Sequence, residues 1–407
     1  MTRAIRRGAA LVIAAMVLAL TTSVASADGP GWTTIAQLDG PAFGINVGQG
    51  DDLLVAGAAG PLKLDPDDGD TQLIAELPNL SDVIQTGRRE YYAITGEGER
   101  GPDDGPCPAM ALCRIKNGNV TLVADILEWE LANDPDQSGN PPGEDSMSNP
   151  FDIVRFGNKF LIADAGGNNI QLIDRRGNIK LVAVLPYEDL PTQGLKDSVG
   201  CPTPPPDLAF ICELPDTITA DPVATTVSVG PDGAIYAGEL KGFPAIPGTS
   251  RIWRIERDAR GVHCGTDDED CTQVNTPPFT SIVEMQFEGN TAYVLELDEA
   301  SWLAAEGGQG LGGTVNACRA SNGGGNDDND RRRSNDDDDG DHNGGNGHTV
   351  TWTCREVATG LPFPTAIAVD EHGIYLTLLP NGFEPPFEVV KLTSGNGNGG
   401  GDEDEKD

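Results

Sequence analysis

The chain repeats one pattern of apolar and polar positions six times. Each copy has a short apolar strand, a tight turn rich in Gly, Asn or Asp, and a second strand of aromatic and β-branched residues, which is typical of a β-hairpin. The six copies cover residues 45–56, 82–94, 151–163, 226–237, 282–294 and 366–377. A second hairpin follows in most copies, at residues 61–75, 112–124 and 170–183, and another begins at residues 250–256. Two hairpins make a four-stranded antiparallel sheet, and six such sheets at a spacing of about 40 residues predict an all-β, six-bladed β-propeller.

The two ends of the repeat predict how the ring closes. The sixth copy shows three strands and finishes at residues 388–392, while residues 33–38 form a spare strand before the first copy. Pairing the spare N-terminal strand with the last blade would close the ring and remove exposed sheet edges. An open stack of blades and two β-sandwiches are the alternatives. Helix signals are weak and fall within insertions, at residues 125–132 and 299–306.

The first 27 residues predict an export signal that is cleaved after Ala27. Arg3, Arg6 and Arg7 precede an apolar stretch at residues 8–20, and small residues stand three and one positions before the cleavage point. The apolar stretch is too short for a comfortable membrane span. We therefore expect a secreted protein with no membrane span after signal removal, and an uncleaved anchor is the alternative.

Cysteine usage agrees with export. All eight cysteines follow the predicted cleavage point, and an even number in an exported chain indicates disulfides. They fall into four close sequential pairs, which predict the bridges Cys107–Cys113, Cys201–Cys212, Cys264–Cys271 and Cys318–Cys354. A zinc site would need Cys-x-x-Cys pairs or histidine partners. The sequence has no Cys-x-x-Cys and only four histidines.

The formal charge is −37, and removal of the three signal arginines would bring it to −37 − 3 = −40. The electrostatic field of such a negative charge disfavours binding to nucleic acid and anionic membranes, and it favours cationic partners, including divalent metals. Acidic runs at residues 327–341 and 402–407 are typical of solvated disorder. We expect a monomer with a signal peptide at 1–27, a propeller at 28–393 with insertions at 126–148, 186–221 and 319–348, and a disordered acidic tail at 394–407.

Several motifs give the chain a resemblance to known propeller families. Residues 157–174 are similar to the repeat of NHL-type propellers, in which Gly-Asn, an aromatic residue, Ala-Asp, Gly-Asn and an apolar strand recur. More specifically, the chain resembles the ScyD/ScyE family of secreted propeller-like proteins at residues 148–151, 163–168, 222–233, 238–254 and 364–369. The resemblance covers residues 30–392 and departs from the family in the acidic insertion at 321–347 and the acidic tail. It implies a secreted propeller that acts as a ligand- or partner-binding scaffold.

Candidate site residues come from carboxylates and amides, because motifs of catalysis are missing. Neither Gly-x-Ser-x-Gly nor His-Glu-x-x-His occurs, so no catalytic residue is assigned. Aligning the copies at their turns puts three carboxylates at equivalent positions, where the second strand of each copy ends. A fourth carboxylate follows two residues after the third, and two asparagines lie near the first. These six candidate channel-mouth residues are Asp164, Glu239, Glu296, Asp298, Asn149 and Asn168.

The resemblance also implies calcium as a candidate cofactor. Related six-bladed propellers of the gluconolactonase and paraoxonase groups hold calcium in the central channel with Glu, Asn and Asp. Asp164, Glu239 and Glu296 are accordingly the candidate calcium ligands. For Asp164 itself, in its Ala-Asp-x-Gly-Asn setting, the preferred interpretation is structural, and we expect it to hold a turn by accepting backbone N–H groups.

Three functions follow from these patterns. The first is a scaffold that binds an unknown extracellular ligand or protein. The second is a calcium-dependent, lactonase- or esterase-like hydrolase with its site at the channel mouth, and the third is a structural envelope protein. The apolar loop at residues 241–249 and Trp302 are expected to pack between blades, and an exposed binding surface is the alternative. Residues 335–340 match the start of an EF-hand loop that lacks its final Glu.

Overall fold

A computed structural model describes most of the region predicted to form the propeller. The described residues are 31–101, 105–136, 147–204, 208–266, 268–321 and 350–393. The predicted signal peptide at 1–27, the EF-hand-like segment at 335–340 and the predicted tail at 394–407 lie outside them. Within the described residues the chain forms a six-bladed β-propeller of four-stranded antiparallel blades, which confirms the predicted fold.

The first three blades follow one another along the chain, each from an inner strand at the axis to an outer strand at the rim. Strand β1 (Trp32–Leu38) precedes them. Blade one contains β2 (Ile45–Val47), β3 (Leu53–Gly57), β4 (Gly60–Leu64) and β5 (Thr71–Leu73). Blade two contains β6 (Leu80–Gly87), β7 (Glu90–Thr95), β8 (Ala111–Lys116) and β9 (Asn119–Asp125). Blade three contains β10 (Pro150–Phe156), β11 (Lys159–Asp164), β12 (Asn169–Asp174) and β13 (Ile179–Val184).

The last three blades are interrupted by two small additions. A hairpin of β14 (Glu188–Pro191) and β15 (Thr217–Ala220) precedes blade four, and β19 (Val262–His263) adds a parallel fifth strand to blade three. Blade four contains β16 (Ala224–Val229), β17 (Ile235–Glu239), β18 (Ile252–Ile255) and β20 (Cys271–Gln273). Blade five contains β21 (Ile282–Glu288), β22 (Thr291–Glu296), β23 (Gly313–Ala320) and β24 (Trp352–Leu361). Blade six contains β25 (Pro364–Asp370), β26 (Gly373–Leu378) and β27 (Phe387–Leu392).

The N-terminal strand completes the sixth blade. Strand β1 pairs antiparallel with β27, in a register that runs from Trp32 opposite Leu392 to Leu38 opposite Phe387. Both strands thereby lose an exposed edge. The predicted closure of the ring is confirmed.

The core consists of apolar layers between neighbouring blades. Strand β11 shows the principle, because Phe160 and Ile162 pack towards blade two while Leu161 and Ala163 pack towards blade four, and all four are 0% exposed. Side chains of a strand alternate between its two faces, and in a propeller both faces are covered by neighbours. The central strands are therefore apolar along their whole length rather than at every second position.

The connections at one end of the blades form what we call the loop face. It comprises the segments that lead into each inner strand and those between the second and third strands. Its largest described parts are residues 126–136, 147–149, 185–204, 208–223, 240–251 and 297–312. Four helices lie there among the described residues: α1 (Ile126–Asn133), α2 (Gln193–Ser198), α3 (Ala209–Cys212) and α4 (Trp302–Glu306). The first and last match the predicted helices with shifted bounds. No helix in the described part of the chain has the length and apolar character needed to cross a bilayer.

The four predicted disulfides are confirmed: Cys107–Cys113, Cys201–Cys212, Cys264–Cys271 and Cys318–Cys354. Three of them link residues no more than 11 positions apart, and the fourth joins β23 to β24 across a separation of 36. Four bridges indicate folding in an oxidising environment.

Residues 241–249 pack between blades, as expected, and the alternative of an exposed surface at this loop is wrong. Lys241 and Ala245 are buried, and Phe243 packs against the apolar layer between blades five and six. Trp302 is 7% exposed and its Nε1 donates to the carbonyl of Lys241 at 2.9 Å. The loop therefore serves packing between blades, because its apolar side chains turn inward against α4.

Candidate functional site

Three carboxylates occupy the same position in three inner strands. Asp82, Asp152 and Glu284 each follow a register shift near the start of β6, β10 and β21. Thr226 and Ala366 take the equivalent position in β16 and β25. The inner strands surround the axis, so these equivalent residues lie at one height around it. We call Asp82, Asp152 and Glu284 the carboxylate ring.

Each member of the carboxylate ring accepts a backbone N–H from the next blade. Asp152 Oδ2 accepts from the N–H of Val227 at 2.7 Å, and Glu284 Oε2 accepts from that of Ile367 at 2.7 Å. Asp82 makes the same contact with blade three at 3.3 Å. Buried N–H groups need a partner, and these carboxylates supply it at three junctions between blades.

Neutral side chains make the corresponding contacts at the other junctions. Asn46 of blade one donates to Asp82 Oδ1 at 2.8 Å. Thr226 Oγ1 accepts from the N–H of Met285 at 3.0 Å, which links blades four and five. Thr365 of blade six donates to a backbone carbonyl ahead of blade one at 2.7 Å. A belt of hydrogen bonds thus passes through all six blades.

Burial and mutual repulsion disfavour ionisation within the carboxylate ring. Burial raises the pKa of Asp82 and of Glu284 well above the usual range, and the charge of Asp152 raises both further. Burial raises the pKa of Asp152 to about 6, against the effect of the donors from Val227 and Thr226. A group of buried like charges binds protons more tightly than the isolated groups do.

The axis is narrow beside the carboxylate ring. Phe43 and Phe151 line this space together with Gly44, Thr225, Val283 and the three carboxylates, and it is too small for a water-sized sphere. The ring therefore acts as a tie between blades, and the space beside it has no room for a substrate.

Asp164, a predicted calcium ligand, ends β11 and is 0% exposed. Its Oδ1 accepts from the N–H groups of Asn149 at 2.6 Å and Gly167 at 3.1 Å. Its Oδ2 accepts from Ser148 Oγ at 2.7 Å and from Gln171 Nε2 at 3.2 Å. Burial raises the pKa of Asp164, and these donors oppose the rise. The contacts hold the segments around β11 together, as a turn-holding role requires.

Glu239 ends β17 at the equivalent position and is paired with a buried lysine. Lys241 Nζ lies 3.1 Å from Glu239 Oε2 and 3.3 Å from Glu188 Oε2. Glu239 Oε1 is buried and has no hydrogen-bond partner among the described residues. Burial raises the pKa of Glu239 to about 7, although the charge of Lys241 lowers it.

Glu296 and Asp298 are bound within blade five. Glu296 Oε1 accepts from the N–H of Thr280 at 2.5 Å and Oε2 accepts from Asn316 Nδ2 at 2.7 Å. Burial raises the pKa of Glu296 to about 7. Asp298 accepts three N–H groups of its own loop at 2.8, 3.1 and 2.8 Å.

The two predicted asparagines join neighbouring segments. Asn149 Oδ1 accepts from the N–H of Glu97 at 3.0 Å, which ties blade three to the loop of blade two. Asn168 has a φ of 53°, in the left-handed region that asparagine tolerates. Its Oδ1 accepts from the N–H of Val223 at 3.0 Å, and its Nδ2 donates to Asp136 Oδ2 at 3.0 Å.

The register places the three aligned carboxylates at equivalent positions. Asp164, Glu239 and Glu296 lie opposite the first residue of their own inner strand, at the loop-face end of blades three, four and five. Asn149 and Asp164 are brought into contact. Glu239 and Glu296 instead bond to partners within or beside their own blades.

Sequence reasoning missed a buried polar cluster beside Asp164. One carboxylate oxygen from each of Glu130, Asp134 and Asp136 lies within 4.8 Å of the other two, and we call these three residues the Glu130 cluster. Glu130 is 1% exposed, and its Oε2 accepts from Asn169 Nδ2 at 3.1 Å. Burial and then the charge of Asp164 raise the pKa of Glu130 to about 9. A usable signal was present in the acidic residues after the predicted helix, but nothing in the sequence places that helix on blade three.

The loop face also carries exposed apolar side chains. Leu131 in α1 is 58% exposed, Phe210 in α3 is 41% exposed, and Leu311 after α4 is 63% exposed. Met147, which precedes blade three, is 36% exposed. These residues belong to three separate connections of the same face, so the face is more apolar than its many acidic residues suggest.

No family model and no curated protein sequence matches the chain. Among solved structures, the PQQ domain of pyranose dehydrogenase from Coprinopsis cinerea is similar, with a TM-score of 0.49 and 10% identity over 90% of this chain and 96% of that chain. A gluconolactonase from Xanthomonas campestris has a TM-score of 0.45 and 9% identity, covering 89% of each chain. Virginiamycin B lyase from Staphylococcus aureus has a TM-score of 0.42 and 14% identity over 85% of this chain and 80% of that chain. These neighbours are β-propeller proteins, and at such identities they assign no activity to this chain.

Proposed function

We propose that this protein is a secreted propeller of the ScyD/ScyE type that binds a protein or peptide partner on its loop face. The closed ring provides a rigid frame, and binding residues commonly lie on loops that such a frame positions. The observation that carries the proposal is the exposure of Leu131, Phe210 and Leu311 on that face. Large apolar side chains exposed on one face among polar residues occur at interaction sites.

The charge of the loop face indicates the chemistry of the partner. In the connection between blades three and four, Asp189, Asp197, Glu213 and Asp216 are exposed. Lys196, a basic residue in that connection, lies 3.7 Å from Asp216. A partner with basic and apolar side chains would match both properties of this surface.

The hydrolase alternative needs carboxylates that converge on a metal with a general base nearby. Asp164 and Asp298 use both of their oxygens in hydrogen bonds to their own surroundings, and the carboxylate ring leaves no space for water. A purely structural role would leave the exposed apolar residues of the loop face without a purpose. Binding is the function that accounts for them.

The experiment measures binding of two fluorescent 15-residue peptides, one of alternating Lys and Leu and one of alternating Glu and Leu. We expect the basic peptide to bind, more weakly at high salt, and about tenfold more weakly in a Leu131→Ser/Phe210→Ser variant, since two lost apolar contacts are worth about 1.4 kcal/mol or more. Leu122→Ser is the matched control, because Leu122 is 46% exposed on an outer strand rather than on the loop face.

Equal affinity of the double variant and the wild type would reject the loop face as the binding surface. Calcium-dependent hydrolysis of a lactone or ester panel, lost in Glu239→Gln, would instead support the hydrolase alternative.

A further inference from the structure

Buried oxygens without a hydrogen-bond partner are concentrated beside α1. Among the described residues, seven buried side-chain N or O atoms have no partner, and four of these belong to Glu130, Asp134, Asn169 and Gln171. An unpartnered buried polar atom costs on the order of 1–3 kcal/mol. Four of them in one place are better explained by a ligand than by accumulated defects.

The electrostatic surroundings of Glu130 select the charge of that ligand. The charges that act most strongly on Glu130 belong to Asp164, Asp136 and Asp134, and all are negative. Asp134 also caps the C-terminal end of α1, where the helix dipole places further negative charge. No described lysine or arginine forms an ion pair with Glu130.

We propose that the Glu130 cluster binds one Ca²⁺ ion. All three side chains offer oxygen, the ligand that Ca²⁺ prefers, and oxygens within 4.8 Å of one another can share an ion at about 2.4 Å. Glu130 Oε1 is the buried oxygen without a partner, and the Asn169 amide fixes its carboxylate through Oε2. Nitrogen and sulfur ligands are missing from the cluster, which disfavours Zn²⁺.

The ion would attach the first insertion to the propeller. Glu130 belongs to α1, and Asp134 and Asp136 belong to the segment that follows it. Asn169 begins β12 of blade three. Bound Ca²⁺ therefore neutralises the repulsion between the helix end and blade three, and fixes α1 in place on the loop face. The site differs from the predicted set of Asp164, Glu239 and Glu296.

The test follows the melting temperature of the full chain, first stripped with EDTA and then titrated with CaCl2 or MgCl2. We expect the melting temperature to rise by several degrees with Ca²⁺ and less with Mg²⁺, because ligand binding to the folded state stabilises it. Isothermal titration calorimetry with Ca²⁺ should show one site whose affinity is higher than that of weak Ca²⁺ binding by the acidic runs of the chain. Glu130→Gln and Asp134→Asn should each weaken that site at least tenfold.

Glu128→Gln is the matched control, because Glu128 lies on the same helix but is exposed. It should leave the Ca²⁺ response unchanged. A wild-type protein whose melting temperature is the same in EDTA and in Ca²⁺ would overturn the proposal. So would a folded Glu130→Gln variant, judged by its circular dichroism, that keeps the wild-type Ca²⁺ affinity.

Discussion

Replacing Lys241 with methionine should destabilise the protein strongly, because it leaves a buried carboxylate without its cation. Lys241 is 2% exposed and Glu239 is 0% exposed, and the two side chains are 3.1 Å apart. Methionine fills similar space without the charge. Breaking a buried ion pair by removing one partner costs about 3–5 kcal/mol, and at roughly 2 °C per kcal/mol for a large domain the melting temperature would fall by ~6–10 °C.

The loss of stability in Lys241→Met should be larger at high pH than at low pH. Glu239 has a pKa of about 7, raised from 4.5 by burial, and Lys241 holds it down. Without Lys241 this pKa rises further. A carboxyl whose folded-state pKa lies above its unfolded value contributes stability at low pH that is lost as pH rises. The Lys241→Met variant should therefore lose little stability at pH 5.5 and most of the expected amount at pH 8.5.

The assay is urea unfolding at pH 5.5 and pH 8.5, followed by tryptophan fluorescence. Lys241→Met/Glu239→Gln should lose the pH dependence, because it removes the titrating group. Lys180→Met is the control for loss of a positive charge, since Lys180 is exposed on β13. An equal loss of stability for Lys241→Met at both pH values, or a loss below about 1 kcal/mol at pH 8.5, would refute the reasoning, because exposed pairs give no more than that.

Two further predictions concern the carboxylate ring and the disulfides. Burial raises the pKa of Asp152 from 3.8 to about 6, so wild-type stability should fall as pH rises from 4 to 7. Asp152→Asn should reduce that fall, as measured by denaturation curves across this pH range. If the unfolding free energy of Asp152→Asn fell with pH as steeply as that of the wild type, the raised pKa of Asp152 would be contradicted. Replacing Cys318 and Cys354 with serine should lower the unfolding free energy by about 4 kcal/mol, and replacing Cys107 and Cys113 should lower it by about 2 kcal/mol. The Cys318–Cys354 bridge contributes more because it closes the longer loop. Comparison of the two melting temperatures checks this order, and a larger loss for the short bridge would contradict it.

The ring and its disulfides could be predicted because they depend on local patterns. Each hairpin shows its own apolar strands and turn, and each cysteine pair lies within one blade or one connection. Residues 33–38 could be assigned to the last blade because that blade lacked a fourth strand. Repetition turns a local pattern into a global one, since six equal units can only stack around an axis or along a line.

The carboxylate ring could not be predicted so directly. Asp152 follows a register shift between Pro150 and Asp152, and such a bulge changes which side chains face the axis. The sequence did contain a signal, because Asp82, Asp152 and Glu284 recur near the start of otherwise apolar strands. Alternation alone does not decide whether such a residue faces the axis or a neighbouring blade.

The Glu130 cluster and the pair of Lys241 with Glu239 depend on packing of loops against blades. Glu130 lies in an insertion whose position on blade three follows from contacts with Asn169, 39 residues away. The loop at residues 241–249 was expected to pack between blades, but its apolar pattern does not show that Lys241 is buried with it, at 2% exposed. Long-range contacts of this kind have no periodicity, so a single sequence does not reveal them.

The pairing of β1 with β27 has a consequence for how the protein folds. Thr34 donates to Glu388 across 354 positions, so the strand that completes blade six is synthesised long before the strand with which it pairs. Until residues 387–392 are available, β1 has no partner and blade six lacks its outer strand. Contacts of such long sequence separation form slowly. We therefore expect closure to be the late step of folding, and the unclosed chain to expose one strand that is vulnerable to pairing with another molecule.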